Sequence, residues 1–184
     1  MTTQGLLLAA GAGTRMGRPK ALVSDAGGSW LERGVRVLDD GGCAGVTVVL
    51  GARSSEAVAH LDGLGVDLVI AHDWESGMSA SLEAGLRGMP TDADAALVLL
   101  VDLPDVTADV VRRVLGTGAG PGSLARATYD GRPGHPVLLG REHWAAVLST
   151  ATGDRGARSY LEKHDHVSVE CGDLALGEDV DFAR

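Results

Sequence analysis

Short, almost continuously apolar runs alternate with amphipathic segments along the first two thirds of the chain, and this alternation constrains the fold more than any other feature. Such runs are typical of parallel strands that helices bury on both faces. The intervening segments have a helical period and open with serine or threonine, which can cap a helix. The predicted strands cover 4–9, 45–51, 66–71 and 95–101, and the predicted helices cover 29–40, 54–64, 79–89 and 107–115. The sequence therefore predicts a doubly wound, mostly parallel α/β sheet with helices on both faces.

The pattern changes near 123–139, where two strand-like runs flank Asp130-Gly131, a dipeptide that favours a tight turn. We predict a small antiparallel hairpin there, at one edge of the sheet. Two further helices and a last strand follow, near 141–150, 155–164 and 166–171. The glycine-rich break at 116–122 is shorter than the linkers that usually separate domains. We therefore expect a single domain over residues 1–184.

The charge of the first 24 residues contrasts with that of the rest of the chain. The formal net charge of the whole chain is −9, whereas the segment 1–24 contains Arg15, Arg18 and Lys20 and no acidic residue. Small residues precede these cations in "LLLAAGAGTRMGRPKAL" (6–22), so backbone N–H groups can approach a ligand closely. A cationic loop in an acidic protein favours a small anion over a long polyanion. The alternative is a glycine-rich turn with solvated cations.

Two common phosphate motifs do not fit this loop. A P-loop requires serine or threonine after its lysine, but Ala21 follows Lys20. The dinucleotide fingerprint G-x-G-x-x-G requires glycine where Met16 stands. Aromatic residues make up only 3% of the chain, which leaves few platforms for stacking nucleic-acid bases. We therefore expect a small phosphorylated ligand and no nucleic-acid partner.

The sequence also favours a cytoplasmic protein without a membrane partner. The apolar run 5–10 is too short for a signal peptide or a membrane span. The two cysteines, Cys43 and Cys171, lie far apart and suggest neither a disulfide framework nor a metal motif.

The segment "LAAGAGTRMGRPK" (8–20) resembles the signature LAAG-x-S-x-RMG-x-PK of the molybdenum cofactor cytidylyltransferase-like family. Members of this family are small NTP transferases of the molybdopterin nucleotidyltransferase type. The resemblance implies a Rossmann-like fold of the nucleotide-diphospho-sugar transferase type, in which this loop wraps a nucleoside triphosphate. "WESGMSASLEAGL" (74–86) is similar to a second family segment, although a helix cap would explain its serine equally well. The implied nucleotide-binding residues are Leu8, Ala9, Ala10, Gly11, Ala12, Gly13, Arg15, Met16, Gly17, Lys20, Gly77 and Ser81.

Asp102 follows the fourth predicted strand, where a carboxylate can reach the first loop and hold the Mg²⁺ that accompanies a triphosphate. The alternative is that Asp102 caps the next helix. In the resembled family an Asp-x-Pro segment here carries a metal ligand, and the tail "DVD" (179–181) is similar to a segment that supplies a second one. The resemblance implies Mg²⁺ as cofactor with Asp102 and Asp181 as ligands. It implies Arg15, Lys20 and Asp102 as catalytic residues.

Two later segments, "GRPGHPVLLGREHW" (131–144) and "GDRGARSYL" (153–161), are similar to segments of the cytidylyl branch of the family. His135 lies between a glycine and a proline, so the backbone restrains its direction. Arg158, at the start of a predicted helix, can meet a phosphate. A lone histidine is more often structural, and that interpretation stays open for His135. The resemblance implies that His135, Asp154 and Arg158 bind the acceptor.

These resemblances imply a Mg²⁺-dependent nucleotidyltransferase that moves CMP from CTP to the terminal phosphate of molybdopterin or molybdenum cofactor and releases pyrophosphate. Ala10 and Pro19 stand where the guanylyl branch has glycine and aspartate, which favours CTP. A GTP-using guanylyltransferase and a methylerythritol phosphate cytidylyltransferase are alternatives. A non-enzymatic nucleotide or cofactor carrier for a molybdoenzyme is another, and a molybdoenzyme is the implied protein partner. A reductase is the last alternative, and we expect no binding of a nicotinamide nucleotide.

Overall fold

The computed structural model describes residues 1–181, and Phe182, where the resembled family has threonine, lies outside them. The strands are β1 (Thr3–Ala9), β2 (Ser24–Asp25), β3 (Gly28–Ser29), β4 (Val46–Leu50), β5 (Asp67–Ile70), β6 (Ala95–Leu100), β7 (Leu124–Tyr129), β8 (Arg132–Gly140) and β9 (Val167–Glu170). The α-helices are α1 (Trp30–Asp40), α2 (Ser54–Ala57), α3 (Met78–Gly88), α4 (Ala108–Leu115), α5 (Arg141–Thr150) and α6 (Arg158–Leu161). No helix in this part of the chain is long and apolar enough to cross a bilayer.

Seven strands form one sheet in the order β5-β4-β1-β6-β8-β7-β9, and β2 pairs with β3 in a separate antiparallel sheet. β1, β4, β5 and β6 are parallel, as the buried apolar runs predicted. β8 is antiparallel to both β6 and β7, and β9 is parallel to β7. The predicted hairpin is therefore confirmed, but its predicted position at an edge is wrong, because β8 pairs with β6 and β9 covers the outer side of β7.

The direction of β8 brings new side chains to the carboxyl edge of the parallel strands. Val98 of β6 lies opposite Val137 of β8, and Arg126 of β7 lies opposite the same residue. Because β8 runs against β6, the residues that precede Val137, including His135, extend toward the carboxyl end of β6. Ligands bind at this edge in open α/β sheets.

Helices cover both faces of the sheet, so the doubly wound fold is confirmed. On one face α1 and α4 bury Leu38 and Val111 in one apolar core, and on the other face α3 and α5 bury Leu82 and Val147 in a second. Successive residues of β1 point alternately into the two cores. This double burial explains why β1, β4 and β6 are mostly apolar instead of alternating, whereas β5, at the edge of the sheet, is partly exposed.

Two predicted helix starts and one predicted helix extent differ from the structure, and glycines explain both starts. Ser29 caps α1 by accepting a hydrogen bond from the backbone N–H of Glu32 at 3.4 Å, as predicted. By contrast, α3 starts at Met78 after Gly77, whose φ of 103° is open mainly to glycine. The predicted helix 54–64 is one α-helical turn and a 3-10 turn, and the helix predicted from 155 starts only after Gly156, whose φ is also positive.

Candidate functional site

A cleft of about 410 Å³ opens at the carboxyl edge of β1 and β6. The loop after β1, the start of α3 and the residues after β6 line it, together with Asp154 and Asp181. Its lining includes Leu8, Ala9, Ala10, Gly11, Ala12, Gly13, Arg15, Met16, Lys20, Gly77, Ser81, Asp102, Asp154 and Asp181. The structure thus brings the predicted catalytic and metal-binding residues together with every predicted nucleotide-binding residue except Gly17.

The loop after β1 is folded by its own turns. The backbone N–H of Met16 donates to the carbonyl of Gly13 at 2.9 Å, and Gly13 has a φ of 60°. A side chain at Gly13 would collide with the carbonyl of Arg18, so this close approach requires glycine. Gly17 lies behind the loop, where it lines a different depression together with Arg18. The structure therefore brings no direct support for nucleotide binding by Gly17.

A cluster of alternating charges lies at the mouth of the cleft. Lys20 Nζ donates to Asp102 Oδ2 at 2.6 Å and to Asp181 Oδ1 at 2.8 Å, and Arg15 Nη1 donates to Asp181 Oδ2 at 2.6 Å. Burial lowers the pKa of Lys20, but hydrogen bonds and charge from both aspartates outweigh this effect, so its pKa lies above the usual value. The donors Lys20 and Arg15 lower the pKa of Asp181. Lys20 is therefore fully charged at neutral pH.

The carboxylates of this cluster fit a divalent cation. Asp102, Asp179 and Asp181 each offer an oxygen, and these oxygens lie within 4.8 Å of one another. Asp102 Oδ1 is buried and accepts no hydrogen bond from residues 1–181. A buried carboxylate oxygen without a donor is costly, and oxygen atoms are the ligands that Mg²⁺ prefers. Val180 N also donates to the carbonyl of Asp102 at 3.0 Å, which holds the terminal segment beside β6.

The start of α3 forms the opposite wall of the cleft. Ser81 is buried at this wall and does not cap the helix. A Cβ atom at Gly77 would lie 2.7 Å from Asp154 Oδ1 and from the Gly153 backbone, so only glycine permits this contact. Asp154 Oδ1 in turn accepts from the N–H of Met78 at 3.4 Å. Asp154, predicted to bind the acceptor, thus also supports the wall that faces the loop after β1.

A second cavity of about 260 Å³ adjoins the first and shares Leu8, Met78 and Asp154 with it. His135 and Arg158 line this second cavity, so the structure brings all three predicted acceptor residues together. Tyr129 Oη donates to the carbonyl of His135 at 2.6 Å, which holds the backbone there. Burial, with a smaller effect of nearby Arg126, lowers the pKa of His135 to about 4. His135 is therefore neutral at physiological pH.

The predicted sites do not include Trp74, Arg126 or Asp179, which the structure places at the two cavities or in the carboxylate cluster. Trp74 lines the first cleft and lies in a segment that the sequence pattern had marked. Asp179 fits the spacing of the terminal carboxylates but was not selected. Arg126 lines the second cavity. Its signal in the sequence is a cation in the middle of the strand "LARATY", on the same side as Leu124, which is a core residue.

The comparison with known families identifies the class of the protein. Residues 5–167 match the MobA-like NTP transferase domain, and the chain belongs to this family. The resemblance seen in the first loop is therefore confirmed at the level of the family, and so is its Rossmann-like nucleotidyltransferase fold.

Three similar proteins illustrate the range of the family's neighbours. Nicotine blue oxidoreductase of Paenarthrobacter nicotinovorans is 38% identical over 187 residues, which cover 96% of this chain and 91% of that protein. A "Probable molybdenum cofactor guanylyltransferase" of Bacillus cytotoxicus is 30% identical over 112 residues, 61% of this chain and 55% of that protein. The crystal structure of an rv0371c homologue from Mycobacterium sp. strain JC1 covers 98% of this chain and 90% of that chain, with 27% identity and a TM-score of 0.85.

Proposed function

We propose that this protein transfers a nucleotidyl group from CTP to a phosphorylated acceptor, molybdopterin or molybdenum cofactor, and releases pyrophosphate. The observation that carries the proposal is the Lys20–Asp102–Asp181 cluster at a cleft that opens into a second cavity. One cavity suits the nucleotide, the other suits the acceptor, and the charged cluster lies beside the first. Membership of the MobA-like NTP transferase family supports the same assignment.

The reaction requires the protein to align two anions, the nucleoside triphosphate and the acceptor phosphate. An oxygen of the acceptor phosphate attacks the α-phosphorus in line, and the bond to pyrophosphate breaks with the electron pair leaving on the pyrophosphate oxygen. A phosphate monoester is already anionic near pH 7 and needs no strong base. Lys20 and Arg15 offset the repulsion between the two substrates and the charge that develops on the leaving group. Lys20 makes the larger contribution because it is the less exposed of the two cations.

Asp102, with Asp181 and Asp179, would hold the divalent cation, for which we propose Mg²⁺. When bound, the cation supplies charge neutralisation and orientation at the phosphates. Lys20 Nζ now lies between the carboxylates of Asp102 and Asp181. It cannot hold these oxygens at the same time as a cation, but a triphosphate offers the ammonium a new partner. Metal and nucleotide are therefore expected to strengthen each other's binding.

Ala10 supports the choice of a pyrimidine. Its side chain is 2% exposed and lines the cleft at the end of β1, where a base would lie against the loop. Glycine at this position would leave more room for the larger guanine. We expect Ala10→Gly to shift the preference between the two nucleotides toward GTP by about tenfold. Ala12→Gly, in the same loop, is the matched control and is expected to weaken both nucleotides alike.

The acceptor assignment rests on the resemblance to the cytidylyl branch and on His135, Asp154 and Arg158 lining the second cavity. A molybdoenzyme that receives the product is the proposed partner. A guanylyltransferase and a methylerythritol phosphate cytidylyltransferase are the alternatives within the same reaction class. The Bacillus cytotoxicus relative is named as a probable guanylyltransferase, so GTP belongs in every assay.

The first test is calorimetric titration with CTP and with GTP in the presence of Mg²⁺, followed by an assay of pyrophosphate release with molybdopterin. Tighter binding of CTP and acceptor-dependent pyrophosphate release would support the proposal. A preference for GTP would overturn the base assignment alone. Binding of CTP without pyrophosphate release would favour a nucleotide carrier over an enzyme. Binding of neither nucleotide by folded protein would overturn the nucleotidyltransferase assignment.

A second candidate function is an oxidoreductase, because the relative that is 38% identical over 96% of this chain is named Nicotine blue oxidoreductase. Such a reaction needs an electron donor, and a nicotinamide nucleotide is the simplest one to test. The fluorescence of the reduced nucleotide reports its binding directly. We expect no change with this protein. A saturable change, together with no binding of CTP or GTP, would favour the oxidoreductase.

A further inference from the structure

Arg126 is a buried cation inside the second cavity. It lies in the middle of β7, opposite Val137, and only 8% of the residue is exposed. Its side chain lines the cavity together with His135 and Arg158. Arginine is rarely buried unless a partner compensates its charge.

Arg126 has no such partner among residues 1–181. Its Nε atom is buried and forms no hydrogen bond, and no carboxylate in this part of the chain lies within salt-bridge distance of the guanidinium. An unpaired buried charge destabilises a protein strongly, and arginine cannot escape the cost by losing its proton at neutral pH. The position therefore calls for an anion that residues 1–181 do not supply.

The neighbouring charges do not compensate Arg126. Arg155 and Arg158 also line the cavity, but both are more than half exposed and both pair with Glu162, at 2.7 Å and 3.0 Å. Burial, and then repulsion by Arg158, lower the pKa of Arg126, and the attraction of Glu162 offsets only part of this effect. His135 is neutral and adds one hydrogen-bonding ring without a counter-charge. Asp154 also lines this cavity, but on the side that it shares with the first cleft, so the cavity is cationic at the buried end formed by Arg126.

This buried end is separate from the reacting centre. Arg15, Lys20, Asp102 and Asp181 line the first cleft, and none of them lines the second cavity. An acceptor whose phosphate reaches that cluster must extend past Leu8 and Met78 to fill the second cavity. Its other end then meets Arg126.

We propose that Arg126 binds an oxyanion at the far end of the acceptor, distinct from the phosphate that attacks the nucleotide. This inference rests on the proposed function and adds a specificity rule to it: the acceptor carries anionic groups at both ends. The planar guanidinium suits two oxygens of one anion, and the neutral ring of His135 can add a third hydrogen bond. A phosphate, a carboxylate and an oxometalate share the required chemistry.

The test is calorimetric titration of the full chain with inorganic phosphate, molybdate and acetate. Four proteins are compared: the parent, Arg126→Met, Arg126→Lys and Arg155→Gln. Arg155 is the matched control because it lines the same cavity but is exposed and already paired. We expect Arg126→Met to weaken binding of the preferred oxyanion by at least about tenfold, Arg126→Lys to retain part of it, and Arg155→Gln to stay within about threefold. The preferred probe identifies the class of oxyanion.

Anions that bind near Lys20 in the first cleft would persist in Arg126→Met and in the control, so the difference between these variants isolates Arg126. Equal affinities in both variants, or no saturable binding of any probe by the parent, would overturn the inference. If pyrophosphate release from CTP persists in that case, the proposed function survives alone. Binding that depends on Arg126 in a protein that binds no nucleotide would instead support the anion site and overturn the proposed function.

If Arg126→Met fails to fold, the conservative variant Arg126→Lys tests whether Arg126 binds the far end of the acceptor. It keeps the charge but loses the planar fork, so we expect its KM for the acceptor to rise while its KM for CTP stays unchanged. A rise in both constants, or in neither, would contradict a position at the far end of the acceptor.

Discussion

The two cavities differ in how the charge of their least exposed cation is compensated. In the first cleft Lys20 is held by Asp102 and Asp181, so its charge is compensated before any ligand arrives. In the second cavity Arg126 has no carboxylate partner among the described residues. The first arrangement suits a site where a cation and a polyphosphate arrive together, since carboxylates and ammonium each find a new partner. The second suits a ligand that brings only negative charge.

This difference suggests how two anionic substrates can bind at separate sites along the same edge of the sheet. Both would be attracted to any cation, but the Asp102 and Asp181 carboxylates repel an anion that comes without a metal. The nucleotide brings its divalent cation, whereas a free acceptor does not. If the protein has the proposed function, we expect the acceptor to enter the cavity where the cation has no carboxylate partner.

The largest effect is expected at the compensated lysine. Lys20→Ala is expected to lower the turnover of nucleotidyl transfer by roughly 10²–10³-fold, the usual loss when one preorganised electrostatic partner is removed. Lys163→Ala removes the other lysine of the chain, which is exposed, and is expected to leave turnover within about twofold. A Lys20→Ala rate within a few-fold of the parent would show that the lysine holds aspartates and does not serve the reaction.

The second effect concerns metal affinity. Asp102→Asn is expected to weaken Mn²⁺ binding, measured by electron paramagnetic resonance without nucleotide, by at least about tenfold. Asp109→Asn is the control, because Asp109 is an exposed carboxylate that pairs with Arg112 on α4. Equal Mn²⁺ affinity in both variants would place the metal away from Asp102.

The third effect concerns the free energy of unfolding without ligand, which tests the contrast between the two cavities directly. Lys20→Met leaves Asp102 and Asp181 facing each other without their counter-ion, so the free energy of unfolding is expected to fall by about 1–3 kcal/mol. Arg126→Met removes a buried charge that lacks a partner, so the same quantity is expected to rise by about 1–2 kcal/mol. Urea denaturation measures both. Changes of the same sign would break the contrast between the two cavities.

The last expected effect is a pH dependence of stability at His135. Its pKa is lowered from 6.5 to about 4 in the folded protein, so the unfolded chain takes up a proton first as the pH falls. Stability contributed by the neutral ring is present above pH 6.5 and is lost progressively down to about pH 4.

His135→Gln is therefore expected to flatten the fall of the unfolding free energy over this interval, whereas His72→Gln, at an exposed position, is expected to leave it unchanged. Because Arg126 lowers the pKa of His135, Arg126→Met is expected to raise that pKa, measured by NMR titration. If the unfolding free energy of His135→Gln and of the parent fell in parallel between pH 6.5 and about pH 4, the lowered pKa of His135 would be contradicted.

The sequence alone determined the parallel half of the sheet and most of the first cleft. The apolar runs identified β1, β4, β5 and β6, because burial on both faces of a parallel sheet favours apolar residues at most strand positions. The loop after β1 could be interpreted from local features, since glycine, charge and spacing are all contiguous there. Asp102 followed from its position after a strand.

Only the tertiary structure decided how distant segments meet. The position of β8 inside the sheet depends on pairing with β6, which no local pattern encodes. The contact of Asp181 with Lys20 joins residues 161 positions apart. Arg126 is visible in the sequence only as a cation within a strand, and its proposed role depends on the absence of a carboxylate partner among residues 1–181. The sequence sets the local conformations and the periodicity of burial, but the balance of charge in a cavity depends on which side chains the fold brings together.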